Sequence, residues 1–378
     1  MISGMTEMAQ KNLLFALLIL PLLLWGQTQA ACSFASSTTY RNTVENFTIP
    51  LDSRTFSVPQ GVPVGQVIAR QWVNVTAGGS KSWRVECDST GINRYYQYGS
   101  RPKPLATGYT NVYQTSIKGI GIRFSPTTSV APNPYPTEYS ISPGSYFPHA
   151  PTMGFSFYIE FIKTDETVVP GEILAIDLPV TEHALGQSGS NVVFARFTLS
   201  GQFHITAPTC DIAPASASMT VQLGSHPSGS FNGVGSGTNW KNASIRLINC
   251  PQFYGNKYTR SYTSYYANGT NARFDQYALN ANGWSLTLSP RNGTVDASNG
   301  IMKIDDETGK ASGVGIQLSR TENVSGKIDL DNAINKSIAT DGSVTAITIP
   351  LYARYIQTES TITGGKANGR LEYTITYK

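Results

Sequence analysis

The sequence predicts an all-β protein of two β-sandwich domains. Short apolar or alternating runs are cut at close intervals by Gly, Pro, Asn and Ser, and no amphipathic helical period stands out. The 378 residues also exceed the size of one ordinary domain. With 35 Gly, 21 Pro and 20 Tyr, and only 14% charged residues, the composition suits a turn-rich extracellular β protein. A net charge of +4 is small for this length and gives no concentrated basic patch, so nucleic acid is not an expected partner.

The first element is a secretory signal over residues 1–30. Lys11 precedes the apolar run Leu13 to Trp25, which is short for a membrane span, and Thr28-Gln29-Ala30 offers a small-residue cleavage site. The mature chain is then expected to start at Ala31, and Met8 is an alternative translation start. The four cysteines fall as Cys32/Cys87 and Cys210/Cys250. An exported chain makes disulfides the expectation, and of the three connectivities one bridge per domain is the simplest.

Strands are predicted over Gln66–Val75, Lys81–Cys87, Val112–Phe124, Gly154–Ile162, Glu172–Val180 and Val192–Ile205. The stretch Ser125–Pro151 carries seven prolines and reads as a long loop. The domain boundary is placed near Ala207-Pro208-Thr209, with domains over 31–205 and 206–378 and a short, stiff link. Further strands are predicted over Met219–Leu223, Ala243–Asn249, Ser285–Leu288, Gly313–Leu318, Val344–Ile356 and Lys366–Tyr377. That spacing again argues a sandwich.

Four segments in order carry a family resemblance. They are Met219-Thr-Val-Gln-Leu-Gly224 after Cys210, Ile245-Arg-Leu-Ile-Asn-Cys250, Gly313-Val-Gly-Ile-Gln-Leu318 and Ile349-Pro-Leu-Tyr-Ala-Arg-Tyr355. A glycine, Gly365, then precedes an alternating last strand with Tyr377 penultimate. With these features the second half resembles the pilin domain of chaperone–usher fimbriae. The resemblance implies an incomplete immunoglobulin-like fold finished by a strand from another protein. In it Leu371, Tyr373, Ile375 and Tyr377 would face the donor, and Lys378 would anchor in a periplasmic chaperone. The residues fit, since Leu371, Tyr373, Ile375 and Tyr377 alternate with Glu372, Thr374 and Thr376 and give one apolar face.

The first half resembles the receptor-binding domains of two-domain fimbrial tip adhesins. The segments that carry this are Val62-Pro-Val-Gly-Gln-Val-Ile68, the Trp83-to-Cys87 run, Ser116 to Phe124 and Glu160-Phe-Ile-Lys-Thr164. The expected start at Ala31-Cys32 departs from the mannose-binding relatives, whose mature chain begins with an apolar aromatic residue. Taken together, the resemblance implies a tip adhesin carried through the periplasm to the fimbrium of a Gram-negative cell. Its implied partners are a chaperone, an outer-membrane usher, an adjacent fimbrial subunit and a host glycan or matrix protein. The alternative is a structural minor or initiating subunit that binds no ligand.

A glycan site needs flat apolar surface and fixed polar groups. Asn93, Arg94, Tyr95, Tyr96 and Tyr98 offer both within six residues, and their plainer reading is a Tyr-rich strand. Tyr135 and Tyr139, with Tyr146 and Phe147, would rim the proline-rich loop or simply pin it. The four histidines, His149, His183, His204 and His226, lack ligand spacing, so no metal is expected. Asp305-Asp-Glu-Thr-Gly309 and Asp329-Leu-Asp331 read as turns rather than calcium loops. Neither a GxxxxGK[ST] loop nor a GxSxG elbow occurs, and pairing Glu138 with Glu160 as a glycosidase couple has no support in the sequence. No cofactor is implied, and a binding protein rather than an enzyme is expected.

Overall fold

The computed structural model describes residues 32–76, 83–87, 92–100, 103–127, 133–141, 154–187, 189–256, 261–266, 273–275 and 278–378. The expected signal segment 1–30, the expected start at Ala31, and Tyr146, Phe147 and His149 lie outside the described residues. Helix among the described residues is limited to one four-residue turn, Pro214–Ala217, and three 3-10 turns. None of it is long and apolar enough to cross a membrane.

Eleven strands position the candidate sites. In the first half they are β1 (Val67–Thr76), β2 (Ile92–Ser100), β3 (Ile120–Pro126), β4 (Thr137–Ile141), β5 (Gly154–Lys163), β6 (Val180–Gln187) and β7 (Ser190–Ser200). In the second they are β8 (Ser261–Tyr266), β9 (Gly283–Pro290), β10 (Ile334–Ser337) and β11 (Leu371–Tyr377). One sheet of the first half runs in the order Tyr113–Gln114, β3, β5, β1, β8, Arg273–Asp275. Its partner sheet runs Glu45–Pro50, β7, β6, β2, β4. Between them lies a buried cluster that includes Phe47, Trp83, Tyr96, Phe124, Tyr135, Phe155, Phe157, Phe194 and Phe197. The alternation of β5 builds this core, since Phe155, Phe157, Ile159 and Phe161 all point inward.

A second cluster runs from Cys210 to Tyr377 through Leu247, Trp284, Leu286, Leu318 and Ile349. The buried residues of the first end at Ile205 in sequence and those of the second begin at Cys210, although Leu279 also packs against the first. The halves are nevertheless interlaced. β8, from the second half, pairs in parallel with β1, Ser261 opposite Gln71 through Tyr266 opposite Thr76.

The strand predictions err where a turn divides an apolar run. Val112–Phe124 is broken at Gly119, where φ is +87° and a Cβ would lie 2.4 Å from the Thr167 carbonyl oxygen. Val192–Ile205 divides at Gly201, where φ is +86°, and Val344–Ile356 divides at Pro350-Leu351. Glu172–Val180 becomes a short strand, Gly171–Leu174, and a 3-10 turn. Met219–Leu223 is not a strand, because no neighbour supplies it with backbone partners. Cys210 and Cys250 are bonded across 40 residues. Cys32 is also disulfide-bonded and sits opposite Cys87 in an antiparallel pair.

The junction of the halves is polar and buried. Ser57 is fully buried; its hydroxyl accepts from Tyr254 N at 2.9 Å and its carbonyl from Asn256 Nδ2 at 3.0 Å. Asn282, 1% exposed, accepts from Gly255 N and donates to the carbonyls of Ser57 and Lys378, at 3.3 and 3.1 Å. Gly61 N donates to Tyr377 O at 2.9 Å, and a Cβ on Gly61 would lie 2.2 Å from Thr376 Cγ2. Behind this loop the Lys163 ammonium, itself buried, donates to Gln60 O and Val62 O at 2.6 and 2.7 Å. Changing Asn282 to Ala leaves buried backbone groups without their partner and should cost about 2 kcal/mol. Thermal denaturation checks it, and an unchanged midpoint would mean that the amide contributes nothing to the junction.

Candidate functional site

β2 lies between β6 and β4, and its alternation splits the residues singled out in the sequence into two sets. Arg94, Tyr96 and Tyr98 turn inward. The Tyr96 ring lies 4.5 Å from His183 and 5.5 Å from Tyr135, and the Arg94 guanidinium sits 5.5 Å over it. Tyr135 is 0% exposed, and its hydroxyl meets His183 Nε2 at 2.7 Å. Tyr98 donates to the Tyr135 carbonyl at 3.4 Å. Burial pushes the Tyr98 and Tyr135 phenols far above their ordinary range. Tyr139 is half-buried, its ring 6.2 Å from Tyr96.

Tyr96 and Tyr135 are therefore core residues in this conformation and offer no face to a ligand. The sandwich needs large side chains to fill its interior, and the alternation of β2 directs Tyr96 there. His183 is 1% exposed within the same aromatic group.

Asn93, Tyr95 and Gln97 turn outward into a polar network. Asn93 donates to Glu138 at 3.3 Å and accepts from Ser140 Oγ at 3.0 Å. Gln97 donates to Glu182 at 3.3 Å and accepts from Asn191 at 3.0 Å. Arg196 Nε reaches the other Glu182 oxygen at 2.7 Å. Gly99 leaves room for that carboxylate, since a Cβ there would lie 2.3 Å from Glu182 Cδ. Tyr95 lies in the middle, 9% exposed, its phenol raised chiefly by burial. Fixed amides and carboxylates beside an aromatic ring are the groups that hold hydroxyl-rich ligands. Glu182, Arg196 and Asn191 escape sequence reading because β6 and β7 lie about 90 residues from β2.

A second candidate site is the last strand. Among the described residues β11 pairs only with β9, Trp284 opposite Tyr377 through Pro290 opposite Leu371. Leu371, Tyr373 and Ile375 are half-buried against the second core, and Tyr377 is 7% exposed, 5.6 Å from Phe253. The Tyr373 hydroxyl donates to Ser216 O at 2.6 Å, which ties the chain near 216 to β11. The run from Met219 to Leu223 has no strand partner, and Val221 and Leu223 pack against the second core. Lys378 is exposed, its Nζ 3.0 Å from Asn335 Oδ1.

Glu138 and Glu160 lie on different sheets, so they form no carboxylate pair. Among the described residues no group of three or more His, Cys, Asp or Glu could hold a metal ion.

Two family models match the chain in order. The MrkD-like receptor binding domain matches residues 49–192 and the fimbrial protein family residues 198–378. A type-1 fimbrial protein subunit of Serratia marcescens is 29% identical over 202 residues, which are 53% of this chain and 97% of that protein. A fimbria adhesin protein of Klebsiella pneumoniae is 25% identical over 328 residues, 85% of this chain and 88% of that one. Among solved structures, the receptor binding domain of the plasmid-born adhesin MrkD1P of Klebsiella pneumoniae is 24% identical, with a TM-score of 0.33. It covers 49% of this chain and 99% of its own. The CupB6 tip adhesin of Pseudomonas aeruginosa is 14% identical with a TM-score of 0.32, over 92% of this chain and 94% of its own. With a receptor-binding half followed by a fimbrial half, the chain is a fimbrial adhesin whose place is the fimbria at the cell surface.

Proposed function

We propose that this adhesin attaches a Gram-negative bacterium to a host glycan, without catalysis, and joins its fimbria by accepting a donor strand along β11. The observation that carries the second part is the one-sided pairing of β11, with Leu371, Tyr373 and Ile375 half-exposed beside it. An extended strand laid there would gain backbone hydrogen bonds and cover an apolar edge that is otherwise an aggregation hazard. A periplasmic chaperone supplies that strand first and the adjacent subunit afterwards, with export through an outer-membrane usher. Tyr377 is already packed into the junction, which leaves Leu371, Tyr373 and Ile375 as the donor-facing residues.

The ligand is read by the outward face of β2, through Asn93 and Tyr95 with Glu138 and Glu182 beside them. Each carboxylate on this face is already held by an amide or a guanidinium, which suits fixed recognition of hydroxyls rather than proton transfer. Many fimbriae per cell offset a weak single site. The test is a glycan and matrix-protein array probed with the full chain in its chaperone complex. A hit that falls at least tenfold with Asn93→Ala or Tyr95→Ala, in protein of unchanged melting temperature, is the expected result. A well-folded chain that binds nothing on the array would overturn the ligand reading and favour a purely structural tip subunit.

A further inference from the structure

The other sheet of the receptor-binding half carries an outer face of a different chemistry. Glu160 on β5 stands opposite Arg70 on β1 and Arg123 on β3 in the same row. Arg70 Nε meets one carboxylate oxygen at 2.7 Å and Arg123 Nε the other at 2.8 Å. The Glu160 side chain is 3% exposed, while Arg70 and Arg123 keep 41% and 26% of theirs open. The trio thus carries one net positive charge, and its carboxylate is enclosed while its guanidiniums are not.

The next row, two residues along, sets Trp72, Tyr158 and Ser125 side by side, and the row after that sets Asn74 beside Ser156. All five are half-buried, neither ring belongs to a buried core, and Ser156 Oγ donates to Asn74 Oδ1 at 3.2 Å. The Arg70 guanidinium lies 5.2 Å over the Tyr158 ring. Below the arginine row the face is closed, because Ile162 packs with Ala106 and Val112. The open part therefore begins at the charged row.

A sheet's outer face can be covered by short polar residues, and two large rings with two guanidiniums are more than solubility requires. Ring faces suit the apolar faces of sugars, amides and hydroxyls suit their hydroxyls, and guanidinium forks suit sulfate or carboxylate. Arg70 and Arg123 flank β5 from either side, so their strands lie about 10 Å apart, and the three rows extend about 14 Å. The Glu160 carboxylate takes the Nε–Nη2 edge of each guanidinium, so the donors left to a ligand lie on opposite sides of it and one further acidic group cannot meet both. A linear saccharide with an acidic group on neighbouring sugars can.

We propose that the outer face formed by Arg70, Arg123, Trp72, Tyr158, Asn74 and Ser125 binds a glycosaminoglycan-type acidic saccharide. The inference rests on the reading that this half binds glycans, but it uses a sheet separate from β2.

The test takes the full chain in its chaperone complex, with a heparin-derived oligosaccharide and its desulfated counterpart as probes. Binding of the sulfated probe is expected to weaken at least tenfold from low to physiological salt, because exposed charges are screened. Tyr158→Ala and the triple variant Arg70→Gln, Glu160→Gln, Arg123→Gln should each lose at least tenfold. The triple variant removes the charges without leaving a carboxylate buried alone, so its melting temperature reports whether the fold survives. Asn93→Ala and Tyr95→Ala should leave this binding unchanged.

Equal binding of the desulfated probe, or equal binding of singly acidic sialylated glycans, would overturn the two-fork site. So would a loss confined to the Asn93 and Tyr95 variants, or an array ligand bound through β2 with neither heparin probe bound. The last outcome overturns this inference and leaves the adhesin reading in place, whereas silence of the whole array overturns both.

Discussion

Ile375→Asp is expected to reduce recovery of the adhesin with its chaperone to less than a tenth of the unaltered level. Ile375 faces the second core from the strand whose outer edge is unpaired, opposite Leu286 in register with β9. A carboxylate there would have to be buried beneath any donor strand, at a cost of several kcal/mol unless it takes up a proton. The substitution is more telling than deletion of Tyr377 and Lys378. Deletion would also remove the carbonyls that Gly61 and Asn282 engage, and so would disturb the junction together with the donor edge.

A gain should accompany this loss. A synthetic peptide with alternating apolar residues, added at about 100 times its dissociation constant, stabilises the protein it completes by about 2.7 kcal/mol. For a domain of this size that raises the melting temperature by roughly 5–10 °C. Pull-down yield and differential scanning calorimetry are the measurements. Full recovery of Ile375→Asp together with no thermal effect of the peptide would remove the donor-strand reading.

The parts legible in the sequence were those written in local alternation. The inward set of β5 and the apolar face of β11 follow from residues two apart, and both lie where that spacing places them. Tyr96 shows the limit. The sequence marks a Tyr-rich strand, but which side of it is buried depends on β6 and β4, and these come from distant parts of the chain. Gly99 illustrates the same point, because its use becomes apparent only when Glu182 is laid over it. β8 was unreadable for another reason. Its sequence, Ser-Tyr-Thr-Ser-Tyr-Tyr, has no apolar alternation of its own and becomes a strand by adding to the edge of β1. An isolated 31–205 fragment lacks that neighbour, so the full chain is the right material for binding work.

Loss of the Cys210–Cys250 bond should have the largest effect on stability of any change outside the donor edge. The bond closes a loop of 40 residues, worth about 4 kcal/mol in the loop-entropy model. Two features argue that the figure applies here. Both sulfurs belong to the second buried cluster, so the unbridged side chains would still have a place to pack and the loss is chiefly the loop entropy. That cluster is also open along β11, so the fimbrial half has less apolar burial in reserve than a closed sandwich. The double variant Cys210→Ser, Cys250→Ser is therefore expected to melt roughly 8–16 °C lower. Addition of the donor peptide should restore part of that shift, because strand addition and the disulfide act on the same core. A drop of less than about 3 °C would mean that packing around Leu247 and Phe253 already fixes the loop, and that the bridge serves export or resistance to reduction rather than equilibrium stability.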